Sequence, residues 1–193
     1  MASPSLPTDL PLRIARVIGL TAPAIYSSLT FAYSYMVTPP LITHAPERLL
    51  AKQWLQAYQY AATFVPPLIL SGTLSNAYLA YTTPSSKLRI LYASAAVLVW
   101  SIIPVTLLGF EPYVNGAGKW KVQQLLKDEG YYMPEKQGVM PSVYVHTAKP
   151  EARRWAEGVE MRDIARLWAR LNAWRYRATA LAVVLSGVGT CLW

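Results

Sequence analysis

Cysteine is almost missing from this chain. Cys191 is the single one among 193 residues, so neither an intrachain disulfide nor a thiolate metal cluster can form. The two histidines, His44 and His146, lack cysteine or carboxylate neighbours at zinc-motif spacing, and no metal site is expected. Charge is scarce as well: 15% of residues carry it, against about a quarter in soluble proteins. It is also bunched. Twelve of the 18 Lys and Arg lie between Lys119 and Arg177, and eight of the ten acids lie between Glu111 and Asp163, leaving the first 110 residues nearly uncharged. The formal net charge of +8 therefore has no basic stripe behind it, which argues against nucleic acid as a partner. The basic residues sit at the edges of apolar stretches, where anionic lipid headgroups are the simpler counter-charge.

Four windows remain that are long enough to cross a hydrocarbon core, which takes about 20 helical residues. They are Ile14–Met36, Trp54–Leu79, Leu88–Phe110 and Leu171–Trp193. The charges inside them (Arg16, Arg89, Arg175, Arg177) fall near window starts, where long side chains reach the headgroups. The first window outruns the apolar core of a signal peptide and continues into Tyr26, Phe31, Tyr33 and Tyr35, so it reads as a retained helix. The expected fold is all-α: one integral domain over residues 1–193, a four-transmembrane-helix bundle with one long loop, 111–170, between the last two spans. A bilayer is the implied surrounding, with multi-pass insertion, an endomembrane location and an open question of homo-oligomers. Both termini would share one side, and the positive charge of the long loop would put that loop on the cytosolic side.

Pro23, Pro66, Pro67 and Pro104 lie inside the windows. A membrane bundle tolerates such prolines where neighbouring helices take up the freed carbonyls, and the kinks leave room for an internal cavity. In the long loop, 116–130 becomes amphipathic through Trp120, Val122, Leu125 and Leu126. An alternating stretch, Val139–Val145, suggests a short hairpin arm, and Glu151–Arg170 an amphipathic helix running into the last span.

Polar groups within spans are the first place to look for function. At 100° per residue, Trp168, Asn172, Arg175 and Thr179 share one stripe of the last helix, opposite Arg166, Arg170 and Arg177. In the second window Trp54, Tyr58, Ala61 and Val65 share a face, and Asn76 has the chemistry for a hydrogen bond between helices. At the exit of the third window, Glu111 and Asn115 bracket Pro112; the proline should end that helix and Asn115 should cap the next, or serve a site. Arg175 alone would also be explained by snorkelling, and Trp54 or Trp168 by an aromatic belt.

These segments resemble the small four-helix membrane anthrone oxygenases of fungal polyketide pathways and their bacterial relatives. The resemblance covers almost the whole chain. It rests on RLLAKQWLQAYQYAATFVPPL (Trp54, Tyr58, Pro66, Pro67), on IPVTLLGFEPYVN (Pro104, Thr106, Pro112, Asn115) and on LWARLNAWR (Trp168, Asn172, Arg175). Tyr113-Val114 departs from the Thr-Asn usual there. What the resemblance implies is oxidation of an anthrone to an anthraquinone by molecular oxygen, with no cofactor. The sequence is compatible with this: it carries no dinucleotide fingerprint, so oxygen chemistry would rely on the substrate's own acidic methylene.

The expected site holds Arg175 and Asn172 on the enolate oxygen, and Trp168 and Trp54 stacked on the rings, with Tyr58 beside them. Asn115 is a further candidate, and His44 and Glu111 are the candidate proton acceptors. The substrate would be a small hydrophobic aromatic. Pathway enzymes are possible partners. Two other readings stand beside this one: another tailoring step, such as cyclisation or isomerisation, and a non-catalytic membrane scaffold.

Overall fold

The computed structural model describes residues 9–137 and 142–191. Five helices account for most of it. We label them α1 (Leu10–His44), α2 (Glu47–Thr82), α3 (Ser86–Leu125), α4 (Pro150–Gly158) and α5 (Met161–Cys191). Among the described residues there is no β-strand. Residues 142–145 form no strand, the rest of the expected hairpin arm (139–141) lies outside the described residues, and the nearest approach to pairing is an isolated bridge between Glu135 and His146. Two helices, α1 and α3, are both long and apolar enough to cross a membrane.

Around the bundle the order is α1–α2–α3–α5, each long helix lying against its two neighbours. The last expected span lies within α5, its final residues, 192–193, falling outside the description. The prolines do not break the helices, and α1 gives the physical reason. Pro23 has no N–H, so the carbonyl four residues back, Gly19, loses its helical donor. Asn76 of α2 replaces it: its Nδ2 donates to the Gly19 oxygen at 2.8 Å and to the Gly72 oxygen at 2.9 Å. Gly72 in turn leaves space for the Pro23 ring, since a Cβ there would sit 3.0 Å from Pro23 Cδ.

Three boundaries differ from the expectation. The first helix does not stop near Met36 but passes through a π-helical segment, Tyr33–Val37, to His44. Pro112 does not end the third helix. Thr106–Asn115 is π-helical, and the chain runs through it into Gly116–Leu125 as one rod. Asn115 accordingly caps nothing. The wider π turn carries one more residue, which lets a proline sit inside the rod without its ring meeting the preceding turn. Finally, Glu151–Arg170 is two helices, because α4 ends at Gly158 and α5 begins at Met161.

The segment between α3 and α5 packs onto this end of the bundle. Lys149 N–H donates to the Pro112 carbonyl at 3.0 Å, and the single Thr147 hydroxyl proton is shared between the Glu111 carbonyl at 3.0 Å and its carboxylate, strapping residues 147–149 across the π segment. The strap crosses close: a Cβ on Gly116 would lie 2.6 Å from Ala148 Cα, so only glycine fits. His146 is buried in the same layer, its ring edge-on to Trp120 with centroids 5.2 Å apart. Burial first, and then the Arg153 cation, lowers its pKa below the ordinary imidazole value.

Candidate functional site

Two polar sites meet at this end of the bundle. The first centres on Glu111, which is 4% exposed and sits in the π segment of α3. Tyr58 Oη of α2 donates to both carboxylate oxygens at 2.9 and 2.7 Å. Asn115 Nδ2 donates to Oε2 at 2.8 Å, Lys119 Nζ to Oε1 at 2.5 Å, and Thr147 Oγ1 to Oε1 at 2.9 Å. Lys119 is fully buried, its ammonium also 5.1 Å from the centre of the Tyr58 ring. A buried ion pair holds only where extra hydrogen bonds satisfy the charges, and this one has them.

Lys119 and Thr147 were not singled out in the sequence. A lysine at the start of an amphipathic stretch reads as solvated, and Thr147 lies 36 residues from Glu111 along the chain. The spacing of Glu111, Asn115 and Lys119 at four and eight residues was the available signal, since it stacks them on one helix face.

The second site is a cleft between α3 and α5, lined by Phe110, Val114, Asn115, Trp168, Leu171, Asn172 and Arg175. The stripe expected on the last helix faces inward as read: Asn172 is 3% exposed and Thr179 fully buried, while Arg166, Arg170 and Arg177 are exposed. Arg175 Nη1 donates to Asn172 Oδ1 at 2.7 Å, and its guanidinium carbon lies 5.1 Å from the centre of the Phe110 ring. Three buried polar atoms in this lining have no partner: Arg175 Nε, Trp168 Nε1 and Asn115 Oδ1. Buried polar groups in folded proteins are normally paired, so three unpaired ones around one cleft point to a ligand that pairs them. The lining side chains close on one another and leave no room for even a water molecule, so a polycyclic ligand requires the walls to part.

The remaining expected residues divide. Trp54 is 4% exposed and stands behind the cleft rather than on its wall, stacked on Tyr58 (centroids 5.6 Å, planes 9° apart) and edge-on to Trp168 at 6.2 Å. Gly118 makes its position possible: a Cβ there would fall 2.3 Å from the Trp54 ring. On its far side Trp168 meets Tyr33, in the π segment of α1, at 5.8 Å. Both π segments thus abut the cleft. His44 lies exposed at the end of α1, and no hydrogen bond joins it to either site among the described residues. Phe110, Val114 and Leu171 were not expected; an apolar side chain in an apolar span carries no mark of what it faces.

No curated protein and no solved structure matches the chain significantly. A family model described as anthrone oxygenase does match, over residues 54–185, a stretch that contains Trp54, Tyr58, Glu111, Asn115, Trp168, Asn172 and Arg175. The match spans well over half the sequence and both polar sites, and on it this chain belongs to the anthrone oxygenase family.

Proposed function

We propose that this protein is a multi-pass membrane oxygenase of aromatic polyketide tailoring. In this reading it oxidises an anthrone to an anthraquinone, with molecular oxygen as co-substrate and no cofactor. The observation that carries the reading is the cleft: an aromatic and cationic wall from α5 whose donors, Arg175 Nε and Trp168 Nε1, are buried and unpaired, inside the region matched by the family. In the proposed reaction the methylene of the substrate loses a proton to give an enolate. The enolate passes one electron to oxygen, the radical pair recombines into a peroxide anion at that carbon, the proton returns to it to give the hydroperoxide, and loss of water leaves the quinone carbonyl. One anthrone and one oxygen molecule thus give one quinone and one water. The protein's part is to hold the enolate oxygen on Arg175, itself braced by Asn172, and to keep the rings between Trp168 and Phe110.

The membrane setting extends the same proposal: α2 and α5 span as well as α1 and α3, because the outer surface of the bundle is apolar on all four. Ile14, Val17 and Ile25 of α1, Leu70 and Leu74 of α2, Ile90 and Val97 of α3, and Leu181 and Val184 of α5 all point outward and exposed. Such a girdle favours lipid on every side. At about 1.5 Å per residue, α2 (36 residues) and α5 (31 residues) exceed the roughly 30 Å of hydrocarbon to be crossed. An internal membrane of the producing cell is part of the same proposal. The direct test is oxygen uptake by detergent-purified protein supplied with an anthrone, beside a no-protein control for autoxidation. Quinone formation well above the control is expected; none from folded protein would move the reading to another tailoring reaction or a scaffold.

A further inference from the structure

We propose that Glu111 serves the cleft as a positioning residue: it locks the Asn115 amide so that its carbonyl oxygen faces the bound ligand and reads a ligand hydroxyl group. This rests on the aromatic cleft proposed above and adds to it. The basis is donor–acceptor logic. An ionised carboxylate only accepts hydrogen bonds, and the Lys119 ammonium at 2.5 Å keeps Glu111 in that form. The Asn115 atom 2.8 Å from Glu111 Oε2 must therefore be the amide nitrogen, because the flipped amide would set oxygen against oxygen.

With one end fixed, the other is fixed too. Asn115 Oδ1 is buried without a partner, the residue is 2% exposed, and it lines the cleft. A buried acceptor without a donor is unfavourable, and a ligand O–H relieves it. The facing wall offers the opposite polarity, Arg175 Nε and Trp168 Nε1 being donors. The cleft is thus ordered across its width, with donors on α5 for a ketone or enolate oxygen and an acceptor on α3 for a hydroxyl. Glu111 touches the ligand only through Asn115. Four donors already occupy its two oxygens.

The test is binding rather than turnover, read as quenching of tryptophan fluorescence in the detergent-purified chain. The probes are anthraquinone, 2-hydroxyanthraquinone and 2-methoxyanthraquinone; the last keeps the size and removes the donor. Wild type should bind the hydroxyl probe about tenfold tighter than the methoxy probe, the effect of one hydrogen bond to a buried acceptor. Asn115→Leu, which leaves Glu111 its other three donors, should narrow that ratio to about twofold. Glu111→Gln should narrow it similarly by freeing the amide to turn. The double variant Glu111→Gln/Lys119→Met serves where the single one fails to fold, since it leaves no orphaned ammonium. Equal binding of the two probes to wild type, or a ratio kept in the folded Asn115 or Glu111 variants, overturns the assignment and leaves the aromatic cleft standing. Failure of all three probes to bind folded wild type overturns both.

Discussion

Asn115 stands between two polar sites built from similar parts. On its nitrogen side, Glu111 meets Tyr58, Lys119 and Thr147, and every carboxylate oxygen is taken. On its oxygen side, Arg175 and Asn172 meet Trp168 and Phe110, and three buried polar atoms are left over. Both sites bury a cation beside aromatic rings. The difference is in the bookkeeping of donors and acceptors. A matched cluster has no bond to offer a ligand and acts on the fold; an unmatched one has bonds in reserve and acts on what enters.

That contrast yields effects of graded size. Lys119→Met should be the most damaging to the fold, because it strands a buried carboxylate: a loss of about 3–5 kcal/mol, seen as a large drop in thermal unfolding temperature. The double variant with Glu111→Gln should recover much of it. Arg175→Ala should act on the other side of the contrast. With a stabilising donor gone, anthrone oxidation should fall by about 10²–10³ while the melting temperature moves little. A variant that unfolds the protein without touching turnover per folded molecule would mean that Arg175 belongs with the matched cluster.

Gly118→Ala comes next. Its Cβ would enter the Trp54 ring, and overpacking of this kind costs about 1–3 kcal/mol, again by thermal unfolding. Displacing Trp54 against Trp168 should also weaken probe binding in the cleft.

The smallest effect belongs to the exposed cluster of Arg48, Lys52 and Glu129. Arg48 first, and then Lys52, holds the Glu129 carboxyl below its ordinary value. A depressed carboxyl contributes stability above its unfolded value near pH 4.3, and that contribution fades as pH falls through the folded value. Arg48→Ala should therefore shift unfolding only slightly at neutral pH, and not at all once Glu129 and Asp128, the second carboxylate on Arg48, are both protonated. A large shift would place this pair with the buried cluster rather than with solvated charges.

Much of the scaffold was legible in local pattern. The apolar windows marked the long helices, and the 100° step put Trp168, Asn172, Arg175 and Thr179 on the face that turned out buried. Asn76 was legible as a link between helices, since a polar amide in an apolar span needs a partner. Less legible were the breaks. Pro112 reads as a stop because a proline cannot continue an α turn, whereas the chain continues by widening to a π turn. One added residue per turn leaves no mark in composition or period.

What the sequence by itself determined is therefore an all-helical chain of long apolar rods with a marked polar stripe, because burial of apolar surface at helical period is a local property of the letters. What only the tertiary structure decided is which polar groups have partners. Lys119 is buried because α2 packs Tyr58 against it, and Thr147 arrives on a strap from far along the chain to share its partner Glu111. Asn115 faces two ways because Glu111 claims one end of its amide. Matching of donors to acceptors is a property of pairs across the fold, and no single segment carries it.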